Sequence, residues 1–138
     1  MPVGKYKNPA ICDPTLLRAA SAALQIADIQ TFPFESLRSR SLTSRDFVYF
    51  DPPYHPISPT SSFTSYSRYG FTGADQERLA QVFRTLANQG QRVMLSNSDC
   101  EFIRELYQGF AIHPMLAARA INSRSGCRGK INELLITG

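Results

Sequence analysis

The run Asp46-Phe47-Val48-Tyr49-Phe50 reaches Asp51 and is followed at once by two prolines, Pro52 and Pro53. β-Branched and aromatic residues favour a strand, whereas each proline lacks a backbone N–H and holds φ near about −65°. The ladder must stop where the prolines begin. The segment therefore predicts a buried strand ended by a rigid turn, and the rest of the fold has to be built around that edge.

Periodicity supplies the neighbours. Leu79, Val82, Phe83 and Leu86 recur at i, i+3, i+4 and i+7, and Gly90 provides a stop, so a helix is predicted there. Arg92-Val93-Met94-Leu95 predicts a second short strand. Ser98 and Glu101 read as a capping-box pair for a helix carrying Phe102, Ile103 and Leu106 and closed by Gly109. Upstream, Asp13-Pro14 starts a helix that continues through Leu17 and Ala20 to Leu24, with residues 25–29 as a short strand. The end of the chain predicts two strands, residues 110–120 and 131–137, joined by a polar loop. Pro114 marks the first of these as interrupted or partly at an edge.

Strand, helix, strand, helix and a closing strand pair describe the second half of an α/β sandwich, with helix crossovers between parallel strands and an antiparallel pair at the end. Four strands are fewer than a doubly wound domain carries, so the expectation is a partial Rossmann-like sheet. A chain of 138 residues with 43% hydrophobic and 19% charged residues suits one globular domain and excludes a disordered or fibrous protein. No apolar run approaches the roughly 20 residues that span a bilayer, and the first residues lack the apolar stretch of a signal peptide. Cys12, Cys100 and Cys127 form neither a disulfide framework nor a zinc pattern, which makes a reducing cytoplasm the expected location. With only His55 and His113 beside them, metal chemistry is not expected.

The net charge of +4 is unevenly placed. Arg38, Arg40 and Arg45 cluster before the first strand, and in residues 111–138 Arg119, Arg124, Arg128 and Lys130 face a single acidic residue, Glu133. Such a surface raises nucleic acid as a partner through counterion release; ordinary solubility charge is the other reading.

Asp51-Pro52-Pro53-Tyr54 lies at the carboxyl end of the first predicted strand, where α/β proteins build their sites. If the target is an exocyclic amine, each residue has a task. The amine lone pair is delocalised into its ring, so nitrogen is a poor nucleophile. A carboxylate and a neighbouring backbone carbonyl can each accept one N–H, drawing nitrogen toward a tetrahedral shape and aiming its lone pair at an electrophile. The prolines fix that carbonyl in advance, and Tyr54 offers a face on which a flipped base can stack. A plain strand-ending turn, with Asp51 as a cap and the prolines as stiffeners, fits the same four residues.

The chain resembles the Dam-type DNA adenine-N6 methyltransferases. The likeness rests on Asp46 through Tyr54, then on Pro56-Ile57-Ser58 and Phe63-Thr64-Ser65-Tyr66. It continues in Gly4-Lys5-Tyr6-Lys7-Asn8-Pro9, Phe71, Leu95-Ser96-Asn97-Ser98, Arg119-Ala120-Ile121 and Arg128-Gly129-Lys130-Ile131-Asn132-Glu133. The resemblance implies a class I (Rossmann-like) methyltransferase sheet and methyl transfer from S-adenosylmethionine to N6 of an adenine flipped out of double-stranded DNA. It implies that Asp51, Pro52, Pro53 and Tyr54 are catalytic, with Asp51 and Pro52 also beside the cofactor. It assigns residues 1–12 to the end of a target-recognition region and residues 13–138 to the catalytic-motif half of the methyltransferase domain.

By the same resemblance, DNA contacts fall to Lys5, Tyr6 and Lys7, and to Ser58, Thr60, Ser61, Ser62, Phe63, Thr64, Tyr66 and Arg68. The hydroxyl and cationic side chains of that loop suit phosphate, and a polar surface loop has the same composition. Arg124, Arg128 and Lys130 are further candidates, and a solvated hairpin tip suits them equally.

The family's Phe-x-Gly-x-Gly cofactor motif has no counterpart, since no Gly-x-Gly occurs among the eight glycines. Pro33 also stands where the family carries an acidic residue beside the cofactor adenine. The expectation is a truncated adenine-specific DNA methyltransferase with most of its cofactor pocket missing. The alternative is a non-catalytic DNA-binding remnant or a partner subunit of a split enzyme, and the amine chemistry would also serve RNA adenine. An N-terminal half, or a second copy of the chain, is the expected cover for the open edge at residues 46–50.

Overall fold

Asp13 caps the first helix, α1 (Pro14–Leu24), by accepting the Thr15 and Leu16 N–H groups at 3.0 Å each, and Pro14 occupies the first turn, where no N–H is needed. The computed structural model describes residues 12–57, 70–118 and 130–138. The chain divides into two compact units, Met1–Phe32 and Pro33–Gly138. α1 lies in the first, and none of its residues is buried. Residues 25–29 form no strand: the Gln25 N–H bonds the Ala22 carbonyl and the Ala27 N–H the Leu24 carbonyl, both at 3.2 Å. The end of the helix satisfies those donors locally, and Ile26 is left 93% exposed.

The second unit opens with a 3-10 helix, Phe34–Ser39, and continues with β1 (Phe47–Phe50), α2 (Gly73–Asn88), β2 (Arg92–Ser98), α3 (Glu101–Leu106), β3 (Ala111–Ala118) and β4 (Lys130–Thr137). The four strands make one open sheet in the order β1-β2-β4-β3. β1 and β2 are parallel, with Phe50 opposite Leu95, and α2 lies in the crossover between them. β4 runs antiparallel to both its neighbours. This is the mixed α/β arrangement that the order of elements predicts.

α2 starts on a capping box in which Thr72 accepts the Asp75 N–H and the Asp75 carboxylate accepts the Thr72 N–H. Its stripe Leu79, Val82, Phe83 and Leu86 is buried against Phe50, Val93, Leu95, Leu134 and Ile136. Phe83 sits at the centre, with ring centroids 5.2 Å from Tyr107, 5.0 Å from Phe110 and 6.3 Å from Phe50. The first strand is half buried rather than buried. Val48 and Phe50 face the core, whereas Phe47 and Tyr49 point the other way and are 54% and 52% exposed. Among the described residues β1 is an end strand of the sheet.

β2 runs three residues past Leu95, to Ser98. Ser98 is therefore not a helix cap; its hydroxyl donates to the His55 carbonyl at 2.7 Å, and α3 begins after Cys100 without a side-chain cap. Gly109 adopts φ 96° beyond the end of α3 and turns the chain into β3. Pro114 stands opposite Leu134 in an unbroken ladder, which an end strand tolerates because one of its sides needs no donor. No helix among the described residues is long and apolar enough to cross a membrane.

Candidate active site

Register places the motif. Phe50, the last residue of β1, pairs with Leu95, so Asp51 after it emerges beside Ser96, whose hydroxyl donates to Asp51 Oδ1 at 3.0 Å. Ser96 in turn accepts the Tyr49 hydroxyl at 2.9 Å, which makes a short chain from Tyr49 through Ser96 to the carboxylate. Asp51 is exposed, and its second oxygen, Oδ2, has no hydrogen-bond partner among the described residues.

The prolines that follow cannot be held through N–H groups, and a side chain holds the carbonyl of the second, Pro53, instead. Gln76, buried on α2, donates from Nε2 to the Pro53 carbonyl at 2.8 Å. Asn97, fully buried on β2, accepts the His55 N–H at 2.9 Å and donates to Gln76 Oε1 at 3.0 Å. The His55 ring lies 4.6 Å from that of Phe102, centroid to centroid. With Pro53 and His55 taken, the Pro52 carbonyl is left without a partner among the described residues. Among the described residues, Asp51 and Pro52 thus present two free acceptors on one turn.

Tyr54 closes the turn as a half-buried ring whose hydroxyl lies 3.4 Å from Glu133 Oε2 on β4. Burial pushes the Tyr54 phenol above its ordinary range; a hydrogen bond to Ser96 opposes the shift, and the charges of Glu133 and Asp51 add to it. Beside the motif is a cavity of about 270 Å³ lined by Phe34, Tyr49, Phe50, Asp51, Pro52, Pro53, Phe71 and Leu79. It is mainly aromatic and aliphatic, and Asp51 and Tyr49 are the polar side chains in its wall. Among the described residues no cluster of His, Cys, Asp or Glu could hold a metal ion.

All four motif residues therefore meet at the carboxyl end of β1. The expected DNA-contact residues Lys5, Tyr6, Lys7, Ser58, Thr60, Ser61, Ser62, Phe63, Thr64, Tyr66, Arg68, Arg124 and Arg128 lie outside the described residues. Lys130 opens β4 opposite Ala118. The structure adds Tyr49, Gln76, Ser96, Asn97 and Glu133 to the site. Three of these carried a signal: Ser96-Asn97 is a polar pair directly after a buried apolar strand, and Gln76 is polar on the apolar stripe one turn before Leu79.

The model of the D12 class N6 adenine-specific DNA methyltransferases matches residues 1–121. The chain is 43% identical to the Type II methyltransferase M1.LlaDCHI of Lactococcus lactis subsp. cremoris, over 99% of this chain and 49% of that protein. It is 44% identical to the Type II methyltransferase M.MjaIII of Methanocaldococcus jannaschii, over 99% of the chain and 47% of that protein. With the DNA adenine methylase of Escherichia coli strain K12 the identity is 35%, over 98% of the chain and 48% of that protein. The chain spans about half the length of the curated relatives it matches. A family match over residues 1–121, carried by a chain whose Asp51–Tyr54 turn presents paired acceptors at a strand end, makes this protein a member of the D12 class N6 adenine-specific DNA methyltransferase family.

Proposed function

We propose that this chain supplies the adenine-holding part of a DNA adenine-N6 methyltransferase. The observation that carries the reading is a pair of acceptors, Asp51 Oδ2 and the Pro52 carbonyl, that have no partner among the described residues, on a turn whose Pro53 and His55 carbonyls are already bonded. They accept the two N–H bonds of adenine N6, and the Tyr54 ring stacks on the base once it leaves the helix. As the N6 lone pair takes the methyl group from a sulfonium donor, nitrogen becomes positive. The Asp51 carboxylate stabilises that charge where it develops, and one N–H proton then leaves to solvent.

The methyl donor in this reading is S-adenosylmethionine. The cavity fits an apolar or aromatic part of such a molecule: Phe34 and Phe71 supply ring faces, and Asp51 and Pro52 lie at its border with the turn. Polar partners for a ribose or an amino-acid end are few in that wall, so the chain alone should bind the donor weakly. Residues 13–138 then act as the catalytic-motif half of a class I methyltransferase domain, and residues 1–12 as the end of a target-recognition region. Lys5, Tyr6 and Lys7, the loop from Ser58 to Arg68, and Arg124, Arg128 and Lys130 contact DNA phosphates. An N-terminal half, or a second copy of the chain, pairs along β1. The absence of any Gly-x-Gly favours a second reading, a DNA-contacting partner that transfers no methyl group by itself.

The test is transfer of a labelled methyl group from S-adenosylmethionine to duplex DNA. The chain is assayed alone and together with the part of the Lactococcus lactis relative that it does not match. Asp51→Ala should lower turnover by about 10²–10³, the scale of one lost contact to developing charge, while DNA binding persists. Turnover within about threefold of the parent would remove Asp51 from the chemistry. Calorimetry that found micromolar binding of S-adenosylmethionine to the chain alone would refute the incomplete pocket.

A further inference from the structure

Gln76 and Asn97 are 1% and 0% exposed, and no other fully buried polar side chain reaches the turn among the described residues. Their amides can be oriented in only one way. Asn97 Oδ1 accepts two backbone N–H groups, from His55 at 2.9 Å and Ser98 at 2.8 Å, so Nδ2 must face Gln76. Gln76 Oε1 accepts from that Nδ2 at 3.0 Å, which leaves Gln76 Nε2 to donate to the Pro53 carbonyl at 2.8 Å. The result is a closed ring of bonds from α2 and β2 that grips the turn on both sides of Tyr54. A buried amide with every group satisfied is rigid, and a buried amide with one group unpaired is costly.

We propose that Gln76 and Asn97 form a buried amide clamp that positions the Asp51–Tyr54 turn. By drawing the Pro53 carbonyl and the His55 N–H inward, the clamp leaves the Pro52 carbonyl beside the Asp51 carboxylate as the acceptor pair for the substrate amine. Both are positioning residues and touch no substrate. The inference rests on the methyl-transfer reading for its purpose and on these bonds for its existence, and the two can fail separately.

The test uses the chain itself and reads backbone amide exchange at His55, with the amides of Leu95 and Val82 as internal references. In Gln76→Glu the neutral acid can still donate to Pro53 and accept from Asn97. The ionised carboxylate has no donor and faces a carbonyl oxygen. His55 protection in Gln76→Glu should therefore fall by about tenfold, the scale of one lost buried hydrogen bond, as pH rises through the new carboxyl group's titration. Wild type should show no such step, and Leu95 and Val82 should be unchanged. Asp75, Glu77, Arg78 and Arg84 on α2, Asp51, Tyr54 and His55 on the turn, Arg92 on β2 and Asp99 after it are the titratable and charged groups on these elements, and all are present in both proteins. Gln76→Met should lack the protection at every pH; if it does not fold, Gln76→Glu decides alone. A flat His55 profile in Gln76→Glu, or a loss shared equally by Leu95 and Val82, overturns the clamp. Turnover of Asp51→Ala decides the methylation reading independently.

Discussion

Replacing Ser96 by Ala should uncouple the Asp51 carboxylate from the sheet. Ser96 is 7% exposed, donates to Asp51 Oδ1 at 3.0 Å, accepts the Tyr49 hydroxyl at 2.9 Å and also bonds Tyr54, so one substitution cuts all three bonds. A hydrogen bond to a charged acceptor is worth about 1.5–3 kcal/mol when water cannot replace it. Asp51 is exposed and Tyr49 is 52% exposed, so water can reach both groups once the serine hydroxyl is gone. The net cost of Ser96→Ala should then lie near about 1 kcal/mol. The assay is urea denaturation of wild type, Ser96→Ala, Asp51→Ala and the double variant, analysed as a double-mutant cycle. The coupling energy between the two positions should be about 1 kcal/mol, and Ser96→Thr, which keeps the hydroxyl and suits a strand, should restore most of it. Losses that add to within about 0.3 kcal/mol would refute the argument, because independent sites behave in that way.

Three further outcomes follow from single groups. The Tyr107 hydroxyl is buried with no partner among the described residues, so Tyr107→Phe should raise the unfolding free energy by about 1 kcal/mol, and a loss of that size would show a hidden partner. Burial holds the Tyr54 phenol above its ordinary 10.0, which favours the neutral form in the fold; that contribution is complete below about pH 10 and is lost as pH rises through the folded-state value. Thermal melts across that range should show a shallower alkaline decline for Tyr54→Phe than for wild type, and identical slopes would contradict the shift. β1 is an end strand with Phe47 and Tyr49 about half exposed, so sedimentation should show concentration-dependent association that Phe47→Lys weakens. A monomer at every concentration, with slow amide exchange throughout residues 47–50, would mean that the edge is covered.

Local chemistry made much of this fold legible. Asp13-Pro14, the stripe from Leu79 to Leu86 and the stop at Pro52-Pro53 each act through neighbours a few residues away, and each stands in the structure as read. Where the reading failed, a distant partner or a competing local bond decided the outcome. Ser98 has the spacing of a cap, yet its hydroxyl bonds the carbonyl of His55, 43 residues earlier, and β2 carries it past the point where a helix could begin. Residues 25–29 contain isoleucines of strand type, but the last carbonyls of α1 capture the first N–H groups. The site divides in the same way. Asp51 to Tyr54 is contiguous and carries its own chemistry, whereas the residues that orient it are spread along the chain. Ser96 reaches Asp51 across 45 positions, Asn97 reaches His55 across 42, and Gln76 joins Asn97 across 21. Each is a polar residue whose burial would be unfavourable without that partner, and only the parallel register of β1 and β2, with α2 in the crossover, brings the partners within reach. A polar residue on an apolar stripe, such as Gln76 before Leu79, is thus a sequence-level pointer to a buried contact, although the identity of the contact comes only from the fold.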